Sequence, residues 1–237
     1  MKIAMFGHKR IPSREGGVEI VVEELASRMV KTGNEVTCFN RNGKGCVSQK
    51  YGKRYNFNGI EVKTVPTIDK KGMAAVTAAF FSSMLAAFGK YDIVHIHAEG
   101  PAFFCWIPKL FHKKIVVTVH GLDWQREKWK GGFGAKFIRK GEENAVKYAD
   151  EIIVLSKNVE QYFKTRYNRI TRFIPNGVNR PKIRKADRIR SVYGLEKNGY
   201  ILFLGRLVPE KGIMYLIEAF SKVNTDLKLV IAGGSSD

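Results

Sequence analysis

The sequence has 237 residues, of which 44% are hydrophobic, and this is enough apolar material for one large domain or two small ones. The formal net charge of +19, from 41 Lys and Arg against 22 Asp and Glu, favours an anionic partner: nucleic acid, a membrane surface or a phosphorylated ligand. The cysteines Cys38, Cys46 and Cys105 are scattered and form no C-x-x-C pair. They argue against a disulfide framework or structural zinc and favour a reducing cytosol.

Strand-like and helical patterns alternate along the chain. In chain order they predict strand 2–7, helix 18–30, strand 34–40, strand 59–66, helix 71–88, strand 91–98, helix 101–111, strand 113–121, helix 132–149, strand 150–156, helix 157–167 and strand 170–178. The strands are continuously apolar, which is typical of strands covered on both faces. We therefore predict an α/β fold with a Rossmann-like parallel sheet and helices on each side.

Two apolar segments are candidates for membrane insertion. The first, at the N-terminus, is cut short by His8, Lys9 and Arg10, so we expect no signal peptide. The second, 73–89, is shorter than the roughly 20 residues needed to span a bilayer, and we expect it to be a buried helix.

The pattern restarts after a basic, loop-like stretch at 179–198. A strand, a glycine-containing loop and a helix occupy 199–223, and another strand lies within 227–237. The sequence thus predicts an N-terminal Rossmann-like domain at 1–178 and the incomplete start of a second Rossmann-like domain at 179–237. In open parallel sheets, ligands bind outside the carboxyl ends of the strands, so the loops that follow these strands are the candidate site.

The loop "GHKRIPSREGG" carries the first candidate site. Gly16 and Gly17 precede a helix N-terminus, where bare N–H groups and the helix dipole favour an anion. Lys9, Arg10 and Arg14 add positive charge. A double glycine before a helix is also ordinary turn chemistry, so this loop alone does not decide between the two readings.

The sequence lacks the usual phosphate-binding motifs. It has no G-x-G-x-x-G in the first loop, no P-loop and no D-x-D pair, so side-chain cations must neutralise any bound diphosphate without a metal. "GRLVPEKG" supplies such cations, because Arg206 and Lys211 follow a strand between Gly205 and Gly212. The alternative is that both are solvated surface cations.

Four motifs together resemble a known family. They are "GGVE", "DIVHIHA", "VVTVHG" and "IPNGV" followed by "LFLGRLVPEKG". In order and spacing the chain resembles the retaining glycosyltransferases of GT-B fold, of the glycosyl-transferase family 4 type. The opening "MKIAMFGHKRIPSREGGVEIVVEELA" further resembles bacterial rhamnosyltransferases that build capsule or other surface polysaccharides on an undecaprenyl-diphosphate carrier.

The resemblance implies roles for matching residues. Gly16 and Gly17 match the glycine loop that lies against donor phosphate and acceptor. His120 matches a histidine that helps to position the donor sugar, and Arg206 and Lys211 match the pair that binds the departing diphosphate. The other implied donor- or acceptor-binding residues are Arg14, His97, Glu99, Asn176, Gly177 and Gly205. We assign no catalytic role to His97 or Glu99, and a structural role to His95.

The implied activity is transfer of a sugar, with rhamnose as a candidate, from a nucleoside-diphosphate sugar such as dTDP-rhamnose to a saccharide acceptor. Retention of configuration, no metal, no cofactor, a lipid-linked acceptor and a cytoplasmic location at the inner face of the plasma membrane are implied with it. The family's later E-x7-E motif, which binds donor sugar and ribose, has no counterpart at the corresponding place. We therefore expect a longer protein, and little turnover by these 237 residues alone.

Basic and aromatic residues are interleaved in the middle of the chain. Trp124, Trp129, Phe133 and Phe137 alternate with Lys128, Lys130, Lys136, Arg139 and Lys140. This pattern suits an anionic bilayer, although the aromatics would equally serve as core beneath a solvated charged face. Two rival functions remain open: a nucleic-acid-binding module, for which no signature is present, and a non-catalytic domain that binds a sugar nucleotide or a partner.

Overall fold

The computed structural model describes residues 1–14, 16–43, 52–70, 72–125 and 132–234. The chain forms two compact units, Met1–Gly177 and Val178–Asp237.

The described part of the first unit contains an eight-stranded sheet in the order β3-β4-β2-β1-β5-β6-β7-β8. Its strands are β1 (Lys2–Phe6), β2 (Glu35–Arg41), β3 (Arg54–Phe57), β4 (Ile60–Val65), β5 (Ile93–His97), β6 (Lys114–Val119), β7 (Glu151–Val154) and β8 (Arg172–Phe173). All neighbours pair in parallel except β3, which runs antiparallel to β4. The predicted α/β fold with a mostly parallel sheet is confirmed.

The helices of this unit cover both faces of the sheet. They are α1 (Gly17–Lys31), α2 (Met73–Phe88), α3 (Glu99–Ala102), α4 (Trp106–Leu110), α5 (Phe133–Tyr148) and α6 (Lys157–Tyr167), with a 3₁₀ turn at Asp123–Gln125. Along β1, Ala4 and Phe6 pack into one buried cluster, whereas Ile3 and Met5 pack into the other. Because alternate side chains of a strand point to opposite faces, burial on both sides explains the uninterrupted apolar run.

Three predictions of secondary structure are wrong in detail. Strand β3 was missed because it lies at the sheet edge and alternates exposed with half-buried residues. The single helix predicted at 101–111 is two short helices, because Pro108 of α4 has no N–H to donate to the carbonyl of Phe104, which lies in the turn between them. The stretch predicted as loop contains a helix, α7 (Asp187–Tyr193), whose side chains are mostly exposed and so lack a strong apolar repeat.

Helix α2, which the sequence predicts to be buried, is buried on one side only. Its sheet-facing residues are small: Ala78, Ala79, Ser82, Ser83, Ala86 and Ala87. Its large side chains point outward, and several are exposed. None of the helices in the described ranges is both long and apolar enough to cross a membrane.

The second unit contains a short parallel pair of strands. Strands β9 (Tyr200–Leu204) and β10 (Lys228–Ala232) pair in register, with helix α8 (Ile213–Ser221) between them in the chain. A 3₁₀ turn at Pro209–Lys211 leads into α8. The predicted order of strand, glycine-containing loop, helix and strand is confirmed.

Candidate functional site

The carboxyl ends of β1, β5 and β6 form a polar edge of the first unit, which we call the carboxyl edge (Gly7, His8, His97, Glu99 and His120). The backbone of Gly7 has a φ of +113°, and a Cβ at this position would lie 2.0 Å from the carbonyl oxygen of His97. Only glycine tolerates both this backbone conformation and this close approach. The loop after β1 is therefore pressed against the end of β5.

His8 is buried and its hydrogen bonds define its tautomer. Its Nε2 lies 3.0 Å from Oδ1 of Asn40, which also accepts from the N–H of Ile11. An amide oxygen only accepts, so Nε2 donates and Nδ1 carries the lone pair. Burial lowers the pKa of His8 from 6.5 to about 4, so the ring is neutral at physiological pH. The Nδ1 atom has no hydrogen-bond partner among the described residues.

His95 and His97 of β5 and His120, which follows β6, have neighbouring rings on one face of the sheet. His97 Nδ1 and His120 Nε2 share a hydrogen bond of 3.1 Å, in which one of the two nitrogens donates. His95 Nε2 lies 2.8 Å from the hydroxyl of Thr118. Burial lowers the pKa of His97 well below its usual value, so it is a neutral partner of His120. The predicted structural role of His95 fits its complete burial against Thr118.

Glu99 is a buried carboxyl that supports the loop carrying His120. One of its oxygens accepts from the N–H of Asp123 at 3.0 Å, and the other has no partner within the described ranges. Burial raises the pKa of Glu99 to about 10, so the group is protonated at neutral pH. His97 and Glu99 are both fully buried, so contact with an acceptor would need neighbouring groups to move.

A second buried glutamate, Glu142 of α5, accepts hydrogen bonds from three aromatic side chains. They are Trp124 at 3.1 Å, Tyr162 at 2.8 Å and Tyr167. These bonds tie α5 and α6 to the turn at Asp123–Gln125. Glu142 therefore fixes the far side of the His120 loop through these three hydrogen bonds.

Glu19 and Glu23 of α1 accept hydrogen bonds from the backbone of the loop between β1 and α1. Glu19 accepts from the N–H of Lys9 at 3.0 Å, and a Cβ on Gly16 would lie 2.0 Å from its other oxygen. The carboxylate of Glu19 lies beside the N-terminus of α1. It therefore already uses some of the favourable interaction between the helix dipole and a negative charge, and less is left for a bound anion. Gly17 is exposed and has open space around it, so it is the glycine that a ligand can approach.

Arg14 is also anchored by α1. Its Nη2 donates to Glu23 at 3.2 Å, although most of its side chain stays exposed. Glu23 also accepts from the N–H of Ser13. Part of the positive charge predicted for this loop is thus neutralised within the protein. Asn176 and Gly177 are exposed at the end of the first unit.

Arg206 and Lys211 lie on one loop of the second unit, between β9 and α8, and both are exposed. The loop starts where Gly205 meets the chain after β10: its N–H donates to Ala232, and a Cβ on Gly233 would lie 1.8 Å from its carbonyl oxygen. The two strand ends are thereby pressed together. Both predicted cations follow a parallel strand end, the usual ligand-binding edge.

The predicted basic and aromatic patch is only partly exposed. Trp124 lies beneath the guanidinium of Arg139, 4.3 Å from ring centroid to Cζ, and Phe137 stacks on Phe103. Phe133 is 84% exposed. Trp129, Lys128 and Lys130 lie outside the described residues. The patch therefore combines packed aromatics with exposed charges.

Asn40, Glu19, Glu23 and Glu142 support this site but were not predicted from the sequence. Asn40 ends the apolar run of β2, and a polar residue at a strand terminus is a usable signal. Glu142 follows Ile138 by four residues, which places it on the buried face of α5. No three His, Cys, Asp or Glu side chains of the described ranges are grouped to hold a metal ion.

The α/β fold, with candidate residues in the loops that follow parallel strands, is similar to that of GT-B-fold enzymes of known structure. A cyanobacterial sucrose-phosphate synthase from Thermosynechococcus elongatus has a similar structure, with a TM-score of 0.76, 20% identity and coverage of 99% of this chain and 63% of that chain. Anabaena Alr3699/HepE, solved with UDP and glucose, has a TM-score of 0.70 and 17% identity, covering 100% of this chain and 62% of that one.

Sequence relatives identify the family. The profile of Glycosyltransferase Family 4 matches residues 15–181, and that of Glycosyl transferases group 1 matches residues 185–237. The chain belongs to glycosyltransferase family 4. An uncharacterized glycosyltransferase of Methanocaldococcus jannaschii is 28% identical, covering 98% of this chain and 63% of the relative. A GDP-mannose-dependent alpha-(1-6)-phosphatidylinositol monomannoside mannosyltransferase of Mycolicibacterium smegmatis is 24% identical, covering 94% and 58%. The chain thus spans less than two thirds of these relatives' lengths.

Proposed function

We propose that the protein transfers a sugar from a nucleoside-diphosphate sugar to a saccharide carried on a lipid, with retention of configuration and without a metal. The observation that carries the proposal is the exposed pair Arg206 and Lys211 on the loop after β9. A guanidinium fork and an ammonium suit the two phosphates of such a donor.

The cations act on the leaving group. Negative charge builds up on the diphosphate oxygens as the bond to the sugar breaks, so Arg206 and Lys211 stabilise the transition state more than the bound donor. No divalent ion is needed when two side-chain cations supply this charge. Gly205 positions the loop, because its backbone is fixed against the chain after β10.

The carboxyl edge contributes neutral groups. His97 is uncharged, so its hydrogen bond orients the His120 ring without adding a positive charge beside an oxocarbenium-like sugar. His120 is the residue we assign to the donor sugar. Glu99 is protonated at neutral pH and so is a poor nucleophile. This supports front-face attack with retention, which requires no enzyme nucleophile.

Donor and acceptor are inferred from relatives and from the opening of the sequence. The mycobacterial relative is named for a nucleotide-sugar donor and a lipid-linked mannoside acceptor. The opening resembles rhamnosyltransferases of surface polysaccharide synthesis, so dTDP-rhamnose and an undecaprenyl-diphosphate-linked saccharide are the first pair to test. Synthesis would take place at the cytoplasmic face of the plasma membrane. Gly17, Arg14, Asn176 and Gly177 are assigned to donor or acceptor binding.

The experiment is a donor panel on the full-length protein with a lipid-diphosphate-linked acceptor and a chelator present. We expect one nucleoside-diphosphate sugar to be transferred, with the anomeric configuration of the donor preserved in the product by NMR. The 237-residue chain alone should turn over little or no donor. Binding of donor by the full-length protein without transfer to any acceptor would favour the non-catalytic alternative.

A further inference from the structure

The outer surface of α2 has an unusual distribution of side chains. Small residues face the sheet, while Phe80, Phe81, Leu85 and Phe88 face outward, with Leu85 46% and Phe88 66% exposed. Residues 81, 85 and 88 follow the i, i+4, i+7 spacing and so form one stripe. An ordinary amphipathic helix buries its large apolar residues, so this stripe is a surface rather than a core feature.

Helix α4 extends the apolar stripe. Leu110 is 67% exposed, and Trp106 and Phe111 are also exposed. The ring of Phe111 lies 4.7 Å from that of Phe88, centroid to centroid, so the two helices present one continuous surface. We call it the α2/α4 face and define it by Met73, Phe80, Phe81, Leu85, Phe88, Trp106, Leu110 and Phe111.

The charges that accompany this face are mainly basic. Between residues 72 and 122 the sequence contains Lys90, Lys109, Lys113 and Lys114 as its Lys and Arg residues. Lys113 donates to the carbonyl of Gly89, which places its ammonium at the C-terminal end of α2. Asp150 pairs with Lys109 at 2.8 Å and with Lys114 at 4.0 Å, so part of this charge is neutralised, although the four lysines still leave a net positive charge. The acidic residues within the stretch are Asp92 and Glu99. Asp92 accepts from the backbone of Lys2, and Glu99 is buried.

We propose that the α2/α4 face docks onto an anionic lipid bilayer. Exposed aromatic and aliphatic side chains beside lysines are the combination that inserts into a negatively charged membrane interface. Sixteen residues of helix measure about 24 Å, too short to span but suited to lying in the plane of the interface. A second copy fits less well, because each chain carries a formal charge of +19.

This inference rests on the proposed function, to which it adds the surface that meets the lipid acceptor. The inner side of α2 and the carboxyl edge share a small cavity with room for about one water molecule, lined by Ala75, Ala78, Ser82, Gly7 and His8 among others. The helix that docks therefore also borders the end of β1. Docking through it holds the carboxyl edge close to a membrane-bound saccharide.

The test is vesicle flotation of the full-length protein with two kinds of vesicle: phosphatidylcholine alone, and phosphatidylcholine mixed with phosphatidylglycerol. We expect binding only to the mixed vesicles and weaker binding at high salt. Replacing Phe81 and Phe88 by serine should lower the partition coefficient about tenfold or more, because less apolar surface enters the interface. Circular dichroism should show an unchanged fold, since both side chains are already exposed.

Two matched controls remove exposed apolar side chains elsewhere on the first unit. Ile170→Ser changes a residue between α6 and β8 that is 86% exposed, and Phe133→Ser changes the basic and aromatic patch. Neither should alter vesicle binding. A loss with Phe133→Ser and not with the double variant would overturn the proposal and assign docking to the patch around α5.

Tryptophan fluorescence gives a second readout, which does not require a variant that loses vesicle binding. Brominated lipid should quench tryptophan fluorescence of the wild type, and Trp106→Phe should remove most of this quenching. If the double variant instead dissociates an oligomer in sedimentation, the face is covered by protein and the proposal fails. The proposal also fails if the full-length protein does not bind the mixed vesicles. Transfer to a water-soluble acceptor analogue in that case would leave the proposed function standing.

Discussion

The two units differ in the side chains that lie at the ends of their strands. The carboxyl edge of the first unit holds buried, neutral side chains such as His8 and His97, locked by hydrogen bonds. The loop after β9 in the second unit holds exposed, charged side chains, Arg206 and Lys211. The first arrangement gives a fixed shape with little charge, whereas the second gives charge for an anion. Of the two, the second offers exposed positive charge to an anion.

The largest expected effect tests the close approach of Gly7 to the backbone of His97 in the first unit. Gly7→Ala forces a Cβ to within 2.0 Å of the carbonyl oxygen of His97 at a positive φ. We expect a loss of about 3–5 kcal/mol in the free energy of unfolding, measured by denaturant titration. Gly33→Ala is the matched control, because Gly33 also has a positive φ but open space around it. It should cost about 1 kcal/mol, and equal costs would contradict the close approach.

The second prediction concerns the charged loop. Arg206→Ala in the full-length protein should lower kcat by roughly 100- to 1000-fold, or about 3–4 kcal/mol, since it removes a group that we propose stabilises the departing diphosphate. Arg190→Ala is the control, because Arg190 lies in the same unit and pairs with Glu196 at the surface. It should leave kcat unchanged. Steady-state kinetics with saturating donor separates the two, and equal effects would remove Arg206 from the site.

The third prediction uses the protonated state of Glu99. Its pKa is raised in the folded protein from 4.5 to about 10, so folding takes up a proton between these values and stability falls as pH rises. Glu99→Gln keeps the shape and needs no proton. The variant should therefore gain stability over the wild type with rising pH, by at most about 1.4 kcal/mol per pH unit. A constant difference between pH 5 and pH 8 would mean that Glu99 is ionised.

The smallest expected effect has the opposite sign. The pKa of His8 is lowered from 6.5 to about 4, so the unfolded chain binds more protons in that window and stability falls with falling pH. His8→Gln should flatten this slope by at most about 1.4 kcal/mol per pH unit, as measured by denaturation between pH 7 and pH 5. An unchanged slope would show that His8 is not the group that titrates.

Much of the fold could be predicted because apolar runs report burial. The run that became β1 is buried on both faces, and helix α6 begins and ends at the predicted residues 157 and 167. The exposed helix α7 and the edge strand β3 were missed, since neither buries a continuous apolar face. Helix α2 was placed correctly, but hydrophobicity alone did not show which side faces solvent.

The positions of the candidate residues in the fold could be predicted in part, and their roles stay predictions. Loop positions after strands located His120, Arg206 and Lys211 without knowledge of their neighbours. The roles of Asn40 and Glu142 depend on contacts 15 to 32 residues away in the chain, which spacing does not encode. The anion site expected at Gly16 was predicted from the local pattern and the family resemblance, neither of which showed that the carboxylate of Glu19 lies there.

The central proposal is that side-chain cations, without a metal ion, stabilise the departing diphosphate. The most direct measurement is turnover by the full-length protein in excess chelator, comparing wild type with Arg206→Ala/Lys211→Ala. We expect the wild type to be unaffected by the chelator and the double variant to lose nearly all transfer. Abolition of wild-type turnover by the chelator, or near-normal turnover by the double variant, would contradict the account.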